Sequence, residues 1–491
     1  MQTPGLIPAA LLGMIVLASC ALKPPPTRDE IRAQSATLAE ADLNGAWKAA
    51  EVSAAAIEDN WLGTFTDPQL DVLVAEAIVN NPDLRVAATR VEQAAQYVEL
   101  AKAMLRPMIN LLGTGGLKMG GGDVSSAIQG ASLGVSWEPD LWGRLRYGRE
   151  AAQSTYASVQ ADYRFSQQSL AAAVARSWFT ATETWLQIQL AGGMVTAAEK
   201  LVQLAETRWR VGIGTEQDVA LARASLGTFL DTREQVRLAH DQTLRALELL
   251  LGRYPAAELE TRHELTTMPG PVPAGLPLQM LERRPDMIAA ERRVAAAFNR
   301  VGEAKAARLP RIVLNANVAV IKSEIVELSE DFSNPTGGAG ARLIAPVYQG
   351  GALKTQVEIR TLQQKEAVAE YARMALRALA DVENALAASD TLSQREAVLR
   401  QSMSDSRRAL ELAQLSYEVG KTDLRPVQQQ QLSLQSAQLA LLRVQSEQLS
   451  QRTNLHLALG GSFDQMPATD GDADQAIQTT EYHGAVLSAT R

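Results

Sequence analysis

At 491 residues the chain is long enough for several cores, but aromatics are only 5% and the 46% hydrophobic content is mostly Ala and Leu, which favours thin helix-on-helix packing. A net charge of −8 with no Lys/Arg cluster excludes a phosphate-backbone binder, so no nucleic-acid partner is expected. The single cysteine, Cys20, rules out an intramolecular disulfide.

Residues 6–18 form a 13-residue apolar run, short for a spanning helix and right for a signal-peptide core, so residues 1–19 read as a signal peptide. The run ends in Leu17-Ala18-Ser19-Cys20, which resembles a bacterial lipobox. That resemblance implies a covalent lipid (palmitate) on Cys20, and Ala21 in place of Asp implies sorting to the outer membrane. An ordinary buried thiol is the alternative. Residues 20–60 are then a lipid-anchored segment: an extended Lys-Pro-Pro-Pro-Thr tether at 23–27, followed by an Ala-rich stretch with few order signals.

A first repeat spans 61–260. Asp67 can cap a helix with Pro68 in its first turn, and Leu70, Leu73, Val74, Ala77 and Ile78 follow at helical spacing. Pro82 predicts a break near Asn81. After Pro107 the period falls to 2: Ile109, Leu111 and Gly113 oppose Asn110 and Thr114, and Ala131, Leu133, Val135 and Trp137 oppose Ser132, Gly134, Ser136 and Glu138. With Gly120-Gly121-Gly122-Asp123 as the turn, 107–138 reads as a β-hairpin with one apolar and one polar face. A helical hairpin at 142–252 follows; its nearly proline-free first arm would reach about 100 Å at ~1.5 Å per residue.

The pattern returns. After a connector at 261–280, a second repeat at 281–461 restates the first: Arg284-Pro285-Asp286-Met287 matches Asn81-Pro82-Asp83-Leu84, and Glu418-Val419-Gly420 matches Arg210-Val211-Gly212 at an offset of 208. A period near 200 residues is a duplicated domain rather than a solenoid. The second β-hairpin, 311–346, sets Ile312, Leu314, Ala316, Val318 and Val320 against Asn315 and Asn317, then after a loop at 323–338 sets Ala339, Ala341 and Leu343 against Arg342. The second helical hairpin, 350–460, has a seam of Val427, Gln430, Leu434, Ala437, Leu441 and Val444, as the first has Val219, Ala222, Leu226 and Phe229. Residues 462–491 read as a short packed segment and then a disordered tail.

Two readings of the strands stand: soluble hairpins packed on helices, or membrane strands. The lipid anchor favours the second, and four strands cannot close a membrane barrel, so several chains must build it.

The lipobox, Asn81-Pro82-Asp83-Leu84, Trp137-Glu138-Pro139-Asp140-Leu141-Trp142-Gly143-Arg144, Arg210-Val211-Gly212 with Asp218-Val219, Arg283-Arg284-Pro285-Asp286 and Tyr417-Glu418-Val419-Gly420 together resemble the TolC-like outer-membrane efflux proteins, in particular the lipidated OprM/NodT-type branch. The resemblance implies a mixed fold, a membrane β-barrel plus a long α-helical barrel. Each chain of a homotrimer would give four strands to a 12-stranded barrel and its coiled-coil hairpins to a periplasmic tunnel. It implies the exit duct of a tripartite efflux pump, no enzyme, with a periplasmic adaptor and an inner-membrane transporter of RND type as partners. Adaptor contacts fall on Arg210, Val211, Gly212, Glu418, Val419 and Gly420, and the periplasmic gate on Asp218, Thr422, Asp423, Pro426 and Gln429. Where many relatives carry aspartates, this chain has Pro426 and Gln429, so a cation-selective gate does not carry over. Type I secretion and a lipid-tethered coiled-coil scaffold are the rival functions. Met104, Met108 and Met119 suggest either packing or a soft-metal path; no metal-ligand spacing and no cofactor motif appears.

Overall fold

The computed structural model describes residues 22–49, 55, 57, 59–118, 125–322 and 336–463. The signal peptide, Cys20, the Gly120-Gly121-Gly122-Asp123 turn, most of the 323–338 loop and the tail beyond 463 lie outside the described residues. The first repeat and the segment before it hold α1 (Arg28–Ala33), α2 (Ala36–Glu40), α3 (Pro68–Asn80), α4 (Pro82–Ala103), β1 (Met108–Lys118), β2 (Ser125–Trp137), α5 (Arg144–Arg210) and α6 (Glu216–Leu250). The second holds α7 (Pro277–Arg283), α8 (Pro285–Ala306), β3 (Arg311–Lys322), β4 (Thr336–Ile344), α9 (Ala352–Glu418) and α10 (Arg425–Ala458). The copies match in length: α4 and α8 have 22 residues each, α5 and α9 have 67. No described helix is long and apolar enough to cross a membrane.

Two compact units divide the described residues, each drawn from both repeats: those within 1–45, 82–167 and 277–380 form one, and those within 46–81, 168–276 and 381–491 the other. The first unit carries an antiparallel sheet in the order β1-β2-β3-β4. Its register sets Leu111, Leu133, Val318 and Gly337 in one row and Ile109, Val135, Ala316 and Ala339 in the next. The interleaved rows put Asn110, Gly134, Asn317 and Gly338, then Ser136, Asn315 and Gly340, on the opposite face. One face is therefore apolar, while the other holds the polar side chains, mixed with Met108, Leu112, Val313 and Ile344. The outer edges of β1 and β4 have no strand partner among the described residues.

Alanines of α8, among them Ala289, Ala290 and Ala296, are buried in this unit and let backbones approach closely. Gly302 does the same for one ring, since a Cβ there would meet Tyr147 at 2.6 Å. The Tyr147 hydroxyl accepts a hydrogen bond from the Lys23 N–H at 3.1 Å. Residues 28–40 depart from the expectation of a stretch with few order signals. A Thr27/Glu30 capping box starts α1, Arg28 pairs with Glu291 at 2.5 Å, and Ile31 and Leu38 are buried.

In the second unit Asp67 caps α3, accepting from the Gln69 and Leu70 N–H groups at 3.2 and 3.3 Å. Between α3 and α4, Asn81 is extended (φ −62°, ψ 124°) and its side-chain amide donates to the Leu250 carbonyl at 2.9 Å, which fixes the break that Pro82 imposes. Trp61, Phe65, Leu70, Trp178, Phe179 and Leu247 form the core here. Antiparallel contacts run along the hairpins: Thr184 Oγ1 lies 2.9 Å from His240 Nδ1, and Gln445 donates to Glu396 at 3.0 Å. The α10 seam differs from the sequence reading at one point, burying Gln428 and Gln431 and leaving Gln430 half-buried. Gln428 tolerates burial because its amide donates to the Leu221 carbonyl at 2.8 Å.

Candidate functional site: the two helical tips

Residues 211–215 turn the chain from α5 into α6. Gly212 sits at φ +78°, in the left-handed region, and the Ile213 and Gly214 N–H groups both donate to the Arg208 carbonyl, at 2.9 and 3.0 Å. A Cβ on Gly214 would meet the Trp209 backbone nitrogen at 3.1 Å, so this turn leaves little room for a side chain there. Thr215 caps α6 through a reciprocal pair: its hydroxyl accepts from the Asp218 N–H at 3.1 Å, and the Asp218 carboxylate accepts from the Thr215 N–H at 3.3 Å. Asp218 is only 8% exposed, so it is not a solvated charge on an open helix face.

The second tip is built with different parts. Gly420 has φ +77°, and the Lys421 N–H donates to the Ser416 carbonyl at 2.9 Å. Leu424 occupies the cap of α10 without a side-chain hydrogen bond, and Pro426 lies in the first turn, where its missing N–H costs no helical bond. Asp423 accepts from the Arg425 N–H at 3.2 Å and faces its guanidinium at 3.5 Å. Thr422 and Gln429 are exposed.

Arg208 joins the tips. Its guanidinium lies 4.7 Å above the Tyr417 ring and donates to the Glu418 carbonyl at 3.1 Å and the Ile213 carbonyl at 3.4 Å. Burial pushes the Tyr417 phenol up; the Asp218 charge adds to this and Arg208 opposes it. Asp218, Arg208 and Tyr417 therefore form one electrostatic cluster, and Tyr417 packs in a buried apolar cluster with Leu201, Ala205, Val219, Leu424 and Val427.

Of the residues singled out from sequence, Arg210, Val211, Gly212, Glu418, Val419 and Gly420 are exposed on the tips, and Asp218 is buried among them. Sequence reasoning gave no role to Arg208, Trp209 and Ile213, and used Tyr417 only as part of the Tyr417-Glu418-Val419-Gly420 motif. Trp209 and Ile213 are exposed beside Val211, making the first tip apolar, while Leu415 and Val419 do so more sparsely on the second. One signal was available, an aromatic three residues before each turn glycine: Trp209 and Tyr417. Met104 and Met108 are exposed, Met119 lies outside the described residues, and no group of three or more His, Cys, Asp or Glu able to hold a metal occurs among the described residues.

Comparison with known proteins extends over nearly the whole described chain. Residues 73–253 and 276–461 match the outer membrane efflux protein family. A probable efflux pump outer membrane protein of Pseudomonas putida, TtgC, is 31% identical over 423 residues, 83% of this chain and 86% of that one. The pyoverdine export outer membrane protein OpmQ of Pseudomonas aeruginosa is 29% identical over 481 residues, 94% of this chain and 97% of that one. Among solved structures, VceC of Vibrio cholerae superposes with a TM-score of 0.76 at 25% identity, covering 83% of this chain and 100% of that one. The open-state MtrE channel of Neisseria gonorrhoeae has the same fold, with a TM-score of 0.76 at 24% identity, covering 91% of this chain and 99% of that one. Two matched repeats, a two-faced sheet and paired helical tips agree with these likenesses, and the chain belongs to the outer membrane efflux protein family.

Proposed function

We propose that this outer-membrane efflux channel is the exit duct of a tripartite pump and works as a homotrimer anchored by lipid on Cys20. Three copies pool four strands each into one barrel. A periplasmic adaptor engages the tips, and an inner-membrane transporter of RND type supplies energy and selects cargo. The observation that carries this reading is the sheet: one face apolar across all four strands, the polar side chains gathered on the other, and both edges unpaired among the described residues. In lipid each unpaired backbone group costs several kcal/mol, and closure with further copies removes both edges. The exposed Trp209, Val211, Ile213 and Val419 supply apolar contact for the adaptor. The Asp218, Arg208 and Tyr417 cluster holds the tips in one of two packings, and adaptor binding favours the splayed one. Such a duct has no chemical step of its own.

Native mass spectrometry of detergent-purified protein from outer-membrane fractions tests the reading. A trimer of chains starting at Cys20 with acyl mass is expected. An unlipidated monomer would remove the barrel and leave a tethered coiled-coil scaffold.

A further inference from the structure

The polar face of the sheet is unevenly charged. Over residues 108–113, 130–137, 311–320 and 336–344 it carries two charges, Arg311 and Arg342, and no carboxylate. Arg311 pairs in register with Ile344, and Arg342 with Val313, so the two arginines are diagonal neighbours on the same face at the end where the sheet meets α5 and α9. Arg311 has a partial counter-charge in Glu138, 3.8 Å away, but that carboxylate is already bonded to Arg144 at 3.0 Å. Asp140, the other acid lining this cleft of about 230 Å³, is paired with Arg146 at 3.2 Å. Arg342 is exposed and has no ion-pair partner among the described residues.

We propose that Arg342 makes the inner end of the barrel lumen a cationic collar that favours passage of anions and of carboxylate-bearing cargo. The inference rests on the trimeric-barrel reading, in which the polar face lines the lumen and three copies of Arg342 form a ring. Field lines focus in a narrow, low-dielectric-walled passage, so uncompensated charges of one sign there bias which ions enter. At the helical tips, Pro426 and Gln429 contribute no opposing ring of carboxylates.

The test is the zero-current potential of the lipidated, full-length protein in planar bilayers under a KCl gradient. Wild type is compared with Arg342→Gln and with Arg342→Cys. The cysteine variant is treated in the assembled channel with a cationic or an anionic methanethiosulfonate, so that charge is changed after folding. Arg342→Gln should lower the chloride-over-potassium permeability ratio by about twofold or more. The cationic reagent should restore the ratio on Arg342→Cys, and the anionic one should lower it further. Equal potentials for all forms, in channels that conduct, would overturn the collar and leave the barrel standing. Failure of both wild type and Asp218→Ala, whose tips are loosened, to form a conducting channel would overturn the barrel reading and the collar with it.

Discussion

Four kinds of donor converge on one carboxylate at Asp67: the Gln69 and Leu70 amides, the Trp178 indole at 3.0 Å, the Thr266 hydroxyl at 3.2 Å and the Arg262 guanidinium at 3.2 Å. Burial alone would raise this acid, but the bonds from Trp178, Arg262 and Leu70 and the Arg262 charge outweigh it, and the group sits below its ordinary range. The helix-capping half of this role was legible from Asp67-Pro68; the other partners come from far along the chain and were not. His456 is the opposite case. It stacks on Trp61 with centroids 5.9 Å apart, and burial, with Arg452 adding, pushes it down to about 3 from an ordinary 6.5. A histidine depressed in the fold binds protons preferentially in the unfolded chain. Its contribution to stability is therefore full above pH 6.5 and is lost as pH falls toward about 3. Denaturant unfolding between pH 7 and 4 should weaken with a slope of at most about 1.4 kcal/mol per pH unit from this site, and His456→Phe should flatten it. Equal slopes in both proteins would place the acid sensitivity elsewhere.

At the scale of elements, the tips show what a turn glycine is for. Gly212 and Gly420 both have positive φ, and an added Cβ would meet nothing within 4 Å at Gly212 and only the Arg208 guanidinium, at 3.7 Å, at Gly420. Space is therefore not the obstacle, and alanine pays only for the left-handed conformation, about 1–2 kcal/mol. Gly212→Ala and Gly420→Ala should each speed hydrogen exchange at the tip amides correspondingly; unchanged exchange would mean the turns relax into another geometry. The elements themselves were legible because each burial pattern has its own period. The change from 3.6 to 2 after Pro107 marks where β1 starts, at Met108, and Pro82 marks the gap between α3 and α4. Residues 28–40 were missed because helices of six and five residues are too short to show a period, and their order comes from Glu291 and buried packing. Gln428 and Gln431 were missed in the α10 seam because a polar side chain reads as solvent-facing until its partner is known.

For the whole molecule, the proposed gate makes conductance depend on how firmly the tips are held. Asp218 caps α6 and also bears on Tyr417 beneath Arg208, so its loss loosens a cap and a cluster together. Asp218→Ala should raise single-channel conductance in planar bilayers, and unchanged conductance would remove Asp218 from the gate. The sequence pointed to Asp218 by resemblance and to the turn glycines by repetition, yet Arg208 escaped notice because nothing local marks a side chain that reaches a carbonyl 210 positions away.

The pairing of β2 with β3 ties the two repeats edge to edge within one chain. In the proposed trimeric barrel, a chain with a single repeat would need six copies to close the same ring; the duplication halves that number, and every association avoided saves roughly 4–15 kcal/mol of translational and rotational freedom. It also ends an enforced sameness. Six identical tips cannot diverge one by one, but two tips within one chain can, and here Trp209 faces outward at 51% exposure while its counterpart Tyr417 is buried at 1%. In the proposed trimer, three tips of each kind would present an incoming partner with two different surfaces in alternation.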